Sequence, residues 1–252
     1  MLILLPPSEG KTAAPRGLPL DLGRLSFPGL TATRASVVEA VTAVSLLDAA
    51  PERLGVSPNL RAEISRNTHL LTAPTAPAGR VYSGVLYEAL DLVSMDTASR
   101  RRAHRWLLVV SALFGAVRMG DRIPAYRLSM GVNLPPLGPL ASVWRGPLAA
   151  VLPRAAGRGL VVDCRSSTYA AAWVPQGTLA RRWVQIRVPG ATHLAKHTRG
   201  LVARHLCDAG VDVRTPVAMA EVVGLRFDVE LTAPAGPTKP WVLDTCVAAG
   251  DR

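Results

Sequence analysis

The sequence predicts an α/β (α+β) chain, a central mixed sheet flanked by helices. Three observations carry this. Short, unbroken apolar runs stand at 1–5 and 106–110, and a third, Leu160–Val162, lies within a strand over 159–163; such runs are strands buried on both faces. Each run gives way to a loop dense in polar side chains, which is where sheets of this class carry function. Between the strands lie helical stretches. The clearest is 34–49, with Val37, Val38, Val41, Val44 and Leu47 on one face. At 252 residues, 49% of them apolar, the chain has ample material for one domain over 1–252 with a buried core.

Taken in order, residues 1–5 form the first strand, and Pro6-Pro7-Ser8-Glu9-Gly10-Lys11-Thr12 is the loop at its carboxyl end. This loop resembles a nucleotide-triphosphate loop only superficially. Prolines stand where glycines are needed, and Pro15 opposes a helix after it. Residues 13–33 are a Pro/Gly-rich surface loop, followed by the 34–49 helix. Residues 51–67 read as helix, turn at Gly55, and second short helix. Residues 82–90 make a short helix or turn. Residues 98–105 make a basic helix whose Arg100, Arg101, Arg102 and Arg105 form a solvated face. The second strand is 106–112. Ser111 and Gly115 end it, and a polar loop follows. A helix over 137–152 turns Trp144 and Leu148 inward, then come strands 159–163 and 183–188. Thr192 caps a helix running to Leu206. A last strand at 224–231 precedes a Pro/Gly loop and a loosely held tail.

Composition excludes several classes. No apolar run approaches the ~20 residues of a membrane helix, and the amino-terminal run lacks the basic flank of a signal peptide. A cytoplasmic protein without a membrane partner is expected. Cys164, Cys207 and Cys246 are widely spaced with no CxxC pair, which argues against a disulfide framework or zinc site. His193 and His197 stand at ligand spacing without a third partner, so no metal is expected. No ligand set for haem or iron–sulfur exists, and no cofactor is expected. The net charge of +11 suits polyanion partners. A GC-rich coding bias toward arginine gives the same charge, because only Lys11, Lys196 and Lys239 among the 29 basic residues are lysines.

The polar loop after the second strand is the densest in chemistry: Arg118, Asp121, Arg122, Tyr126, Arg127 and Ser129. A structural account of it is also open, with Asp121 and Arg122 in a solvated turn and Tyr126 in the core. The whole stretch S-A-L-F-G-A-V-R-M-G-D-R-I-P-A-Y-R-L-S-M-G (111–131) resembles the signature of the YaaA family of bacterial peroxide-stress proteins. Four further segments resemble that family in the same order. They are M-L-I-L-L-P-P-S-E-G-K-T (1–12), Y-S-G-V-L-Y-E-A-L (82–90), V-V-D-C-R-S-S-T-Y (161–169) and T-H-L-A-K-H-T-R-G-L-V-A-R-H-L (192–206). Two positions depart from it: Ser129 and Thr168 stand where Glu is common.

The resemblance implies a peroxide-stress protein that binds nucleic acid, with 51–67 as a helix-hairpin-helix element set against duplex backbone without sequence preference. The residues themselves suggest a second account, an enzyme acting on a nucleoside, nucleotide or nucleobase. In that account Glu9, Lys11, Asp121, Tyr126 and Lys196 are the catalytic set. Ser8, Tyr82, Arg118, Arg127, Arg165, Ser166, Tyr169 and Arg199 would bind the substrate or the nucleic acid. Both accounts expect one positively charged cleft where the strand-end loops converge, open to an anionic, nucleotide-like molecule or a nucleic acid.

Overall fold

The computed structural model describes residues 1–190 and 192–247. The strands are β1 (Leu2–Leu5), β2 (Ala76–Pro77), β3 (Leu107–Ser111), β4 (Gly115–Arg118), β5 (Arg122–Ile123), β6 (Asn133–Leu134), β7 (Gly138–Pro139), β8 (Val161–Asp163), β9 (Trp183–Arg187), β10 (Phe227–Thr232) and β11 (Trp241–Val247). The helices are α1 (Thr31–Ser45), α2 (Ala50–Arg53), α3 (Arg61–Ser65), α4 (Ala78–Val81), α5 (Val85–Leu90), α6 (Thr97–Trp106), α7 (Leu140–Ala156), α8 (Ser167–Ala170), α9 (Thr192–Ala209) and α10 (Pro216–Gly224).

Seven strands form one mixed sheet in the order β10-β11-β9-β8-β1-β3-β4. The five inner strands are parallel, with Ile3 beside Leu107 on one side and Val162 on the other. The edges are antiparallel: β4 folds back on β3, and β10 pairs with β11. The centre reads as the sequence predicts. β1, β3 and β8 are wholly buried and apolar up to the Ser111 and Asp163 that end β3 and β8, and β1 and β8 are neighbours. Helices α5, α6 and α10 pack against α9, while α1 packs against α7.

Three predicted features are corrected. Gly115–Arg118 is a strand, because Gly115 at φ +70° lets the chain reverse within three residues. A Cβ there would sit 2.5 Å from the ring of Trp144, whose Nε1 donates to Ala112 O at 2.7 Å. The tail is held in place as far as Val247: β11 inserts between β9 and β10, hydrogen-bonded on both sides. Arg102 does not lie on a solvated face. Its Nε donates to Cys207 O at 2.6 Å and its Nη2 to Asp208 O at 3.3 Å, so it caps the carboxyl end of α9.

The predicted helix, turn and helix at 51–67 are short. α2 is a single turn, Gly55 at φ +63° follows, and α3 comes after a 3-10 turn at Pro58–Leu60. Ser57 Oγ accepts from the Asn59 N–H. At the other edge of the sheet, fully buried Arg34 closes the open side of β4. It donates to Phe114 O at 3.0 Å, Ala116 O at 2.8 Å and Ser26 O at 2.7 Å. Nothing in its sequence surroundings announces that role.

Candidate functional site

Parallel strands all present their carboxyl ends at one side of a sheet. Here the chain leaves β1 toward β3 and leaves β8 toward β9. The connections therefore diverge between β1 and β8, which opens a crevice between the loops that follow them. Those loops are 6–11 and 164–169. The hairpin 112–114 after β3 lies at the same end.

Lys11 is the centre of this crevice. Its residue pairs with Tyr82 in an isolated bridge, and Thr12 N donates to Val81 O at 2.9 Å. Arg66 Nη1 holds Lys11 O at 3.2 Å. With the backbone so fixed, the side chain turns inward and is only 7% exposed. Its Nζ donates to Ser8 O at 2.9 Å and Glu9 O at 3.3 Å, and lies 4.1 Å from the centroid of the Tyr126 ring. Burial, then the neighbouring Arg127 guanidinium, bring the amine down to about 7, against the pull of Glu63 and Glu9. A lysine near that value is part neutral at physiological pH, and a neutral amine is a base and a nucleophile.

Arg127 lies beside Lys11 and bridges two carboxylates, Glu63 at 3.2 Å and Glu9 at 3.4 Å. Its backbone is clamped by Asn67, whose Oδ1 accepts from Arg127 N at 2.9 Å and whose Nδ2 donates to Arg127 O at 2.8 Å. Glu63 and Asn67 are site residues that sequence reasoning missed, and Arg66 offers itself in the sequence only as charge toward nucleic acid. All three come from the segment read as a nucleic-acid hairpin.

The chain's four tyrosines gather here. Tyr82 stacks on Tyr87 with centroids 5.4 Å apart, and both Tyr82 and Phe114 meet Tyr126 edge-on. Tyr126 Oη contacts Ser111 Oγ at 2.7 Å and Tyr82 Oη at 3.0 Å, while Tyr87 Oη donates to Pro6 O at 2.7 Å. Burial raises the ionisation of Tyr82, Tyr87 and Tyr126, and each also feels Tyr169. Tyr169, the least buried of the four, is raised by burial and influenced by Glu9 and Arg127. Ser129 and Met130 adjoin its hydroxyl and lower it.

Of the predicted residues, Glu9, Lys11, Tyr82, Tyr126, Arg127 and Tyr169 thus come together. Ser8 shapes their loop, its Oγ accepting from Ser83 N at 3.1 Å. The others do different work. Asp121 accepts from Ser26 N at 3.0 Å, Ser26 Oγ at 2.8 Å and Arg118 N at 2.8 Å, so it ties the 21–30 loop to the end of β4. Arg118 donates to Arg105 O at 2.6 Å and covers the Phe27 ring. Arg165 is fully buried in a two-pronged pair with Asp163, at 2.8 and 2.7 Å, and also donates to Trp173 O at 2.9 Å. Ser166 is exposed at the start of α8. Arg199 donates to Ile186 O at 3.2 Å.

Lys196 is exposed on α9. Gly200, one turn further on, does not leave room for a ligand. A Cβ there would strike Leu86 O and lie 2.8 Å from the Ala89 Cβ, so the glycine lets α9 pack on α5. The side chain of His193 lies outside the described residues. Among the described residues no group of three His, Cys, Asp or Glu side chains could hold a metal, and no helix is long and apolar enough to cross a membrane.

The chain matches the family model described as peroxide stress protein YaaA over residues 1–231. Among its relatives, a UPF0246 protein of Streptomyces coelicolor is 52% identical over 98% of both chains. A UPF0246 protein of Corynebacterium efficiens is 40% identical over 92% of this chain and 95% of its own length. One from Salinispora tropica is 29% identical over 94% of this chain and 92% of its own. This chain belongs to the YaaA family of peroxide stress proteins.

Proposed function

We propose that the crevice between β1 and β8 is an active site in which Lys11 acts as base or nucleophile on an anionic, nucleotide-class small molecule. The observation that carries this is Lys11 itself: 7% exposed, beside an arginine, and lowered to about 7. A lysine kept for structure is exposed or paired to a carboxylate, whereas this one is buried against a tyrosine face and two carbonyls. Arg127 supplies the anion clamp. Glu9, whose side chain is 78% exposed, is the carboxylate an incoming phosphate or carboxylate would replace.

The test is a panel of nucleosides and nucleotides, scored for binding and for base release. Lys11→Met should abolish turnover while circular dichroism and melting show an intact fold. Retained turnover in that variant would overturn the reading. The role in peroxide stress comes to this chain from its family's description. It predicts that cells lacking the protein lose viability in hydrogen peroxide, and that wild type, not Lys11→Met, restores it.

A second reading, sequence-independent binding of duplex DNA, is favoured by the +11 charge and by the exposed Arg53 and Arg61. Phosphate contacts would make log K fall with log salt by ~0.9 per contact. A flat salt response, or no duplex shift at low salt, would remove it.

A further inference from the structure

A cavity of about 740 Å³ lies apart from the crevice and shares no lining residue with the group gathered around Lys11. Its size is that of a small-molecule site. One wall is the segment between Lys11 and the 3-10 turn at Leu22–Arg24, which has no helix or strand of its own. Long segments of that kind are either disordered or kept for function. This one is pinned. Thr75 donates to Leu18 O twice, from its N at 3.0 Å and from its Oγ1 at 2.7 Å. Gly17 lets the two stretches of chain touch, for a Cβ there would sit 2.4 Å from Thr75 O. Arg122 Nη2 donates to that same Thr75 O. At the end of the segment Asp21 caps the turn, its Oδ1 accepting from Gly23 N at 2.9 Å. The wall is therefore preformed.

The lining combines apolar surface with charge. Leu20 and Leu25 are buried, and Leu18 is 67% exposed. The charged side chains are Arg24, Arg122, Asp21 and Asp121. Their partners differ. Both oxygens of Asp121 are taken, by Ser26 and by Arg118 N. One oxygen of Asp21 is taken by Gly23 N. Arg122 gives one nitrogen to Thr75 O, and exposed Arg24 makes no side-chain hydrogen bond or ion pair among the described residues. Donors are in surplus while most acceptors are committed, which suits an anion. The two carboxylates limit the charge that anion can bear, and the leucines call for an apolar body.

We propose that this cavity binds a small organic acid, an apolar aliphatic or aromatic body bearing one carboxylate that Arg24 and Arg122 hold. A phosphate dianion would be repelled by Asp21 and Asp121 and would gain nothing from the leucines. The occupant is thus of a different class from that of the crevice.

Anilinonaphthalene sulfonate is the probe, an apolar monoanion that fluoresces on leaving water, titrated into the full folded chain. Phenylnaphthylamine, the same rings without the charge, is the comparison. The anion should bind saturably and about fivefold tighter than the neutral dye. Arg24→Gln should erase most of that margin, and Leu18→Ser should weaken both dyes about threefold. Both side chains are exposed, so melting curves of the two variants should overlay wild type. Lys11→Met should leave both affinities unchanged. Four results would each overturn the proposal: no saturable binding by wild type, an anion held no tighter than the neutral dye, unchanged margin in Arg24→Gln, or loss of binding in Lys11→Met, which would move the dye to the crevice.

Discussion

Lys11→Met should change the pH dependence of stability in a direction fixed by the buried amine. In the unfolded chain this lysine keeps its proton up to its ordinary 10.5, and in the fold it gives it up near 7. Between those values the unfolded state binds more protons, so stability rises with pH. Below pH 7 both states are protonated and the gain is absent. Each pH step above 7 is worth ~1.4 kcal/mol, so the gain by pH 9 is about 3 kcal/mol, and on the order of 5 kcal/mol across the whole window. For a chain of this size that is roughly 5–10 °C in Tm. Methionine keeps the length of the side chain and has no proton to lose. The Tm of wild type minus that of Lys11→Met, from thermal melts in matched buffers, should climb by that amount between pH 6.5 and 9. Other groups titrate in both proteins and cancel. Parallel curves would refute the reasoning. So would a climb that begins only above pH 9, for then the Ser8 and Glu9 carbonyls and the Tyr126 face would hold the proton against burial.

Three further substitutions test whether the predicted site positions that lie away from Lys11, and the partners of such positions, are structural. Asp163→Asn should strand the buried Arg165 charge and cost about 3–5 kcal/mol, seen as a fall in urea midpoint. Asp121→Ala removes the acceptor of two backbone N–H groups and one hydroxyl. It should cost about 2–4 kcal/mol while nucleotide affinity stays within about twofold, so a normal midpoint with lost affinity would return Asp121 to the site. Gly200→Ala should push α9 off α5 and cost about 1–3 kcal/mol. An unchanged melting curve would mean that α5 yields at no cost.

The strands at the centre of the sheet were legible because burial on both faces leaves continuous apolar runs: LILL, LLVV and VV mark themselves. The edges were not. FDVELT was found with its ends displaced, and WVLDTCV was missed because Asp244, Thr245 and Cys246 look like a polar tail. Leu243 and Thr245 face the core while Asp244 answers Arg187, a partner 57 residues away. The site was legible where its residues lie in one motif at a strand end, as Glu9 and Lys11 do, or Tyr126 and Arg127. Asp121 misled because a carboxylate that accepts three hydrogen bonds from backbone and serine looks, in sequence, like one waiting for a substrate. Glu63 and Asn67 left no signal, and Arg66 left only that of a surface charge. They stand in a helical turn whose exposed arginines drew the eye to nucleic acid, and only the fold brings them to Lys11 and Arg127.

Comparing Arg165 with Lys11, two of the buried cations, shows what distinguishes the crevice. Arg165 is as deeply buried as any residue in the chain, and its charge is fully answered: both oxygens of Asp163 and the carbonyls of Tyr169 and Trp173 accept from it. Its local chemistry is self-consistent, which is what folding alone selects. Lys11 is 7% exposed with no carboxylate in hydrogen-bond contact, and the charge that acts on it most strongly is another cation, Arg127. The fold spends the Arg66 guanidinium and the Asn67 amide, adjacent on one turn, to pin Lys11 O and the Arg127 backbone in that conflict. A mismatch of this kind, braced from outside and placed where the strand connections diverge, has no structural return. The bracing becomes intelligible once an anion on Arg127 completes what the protein leaves open.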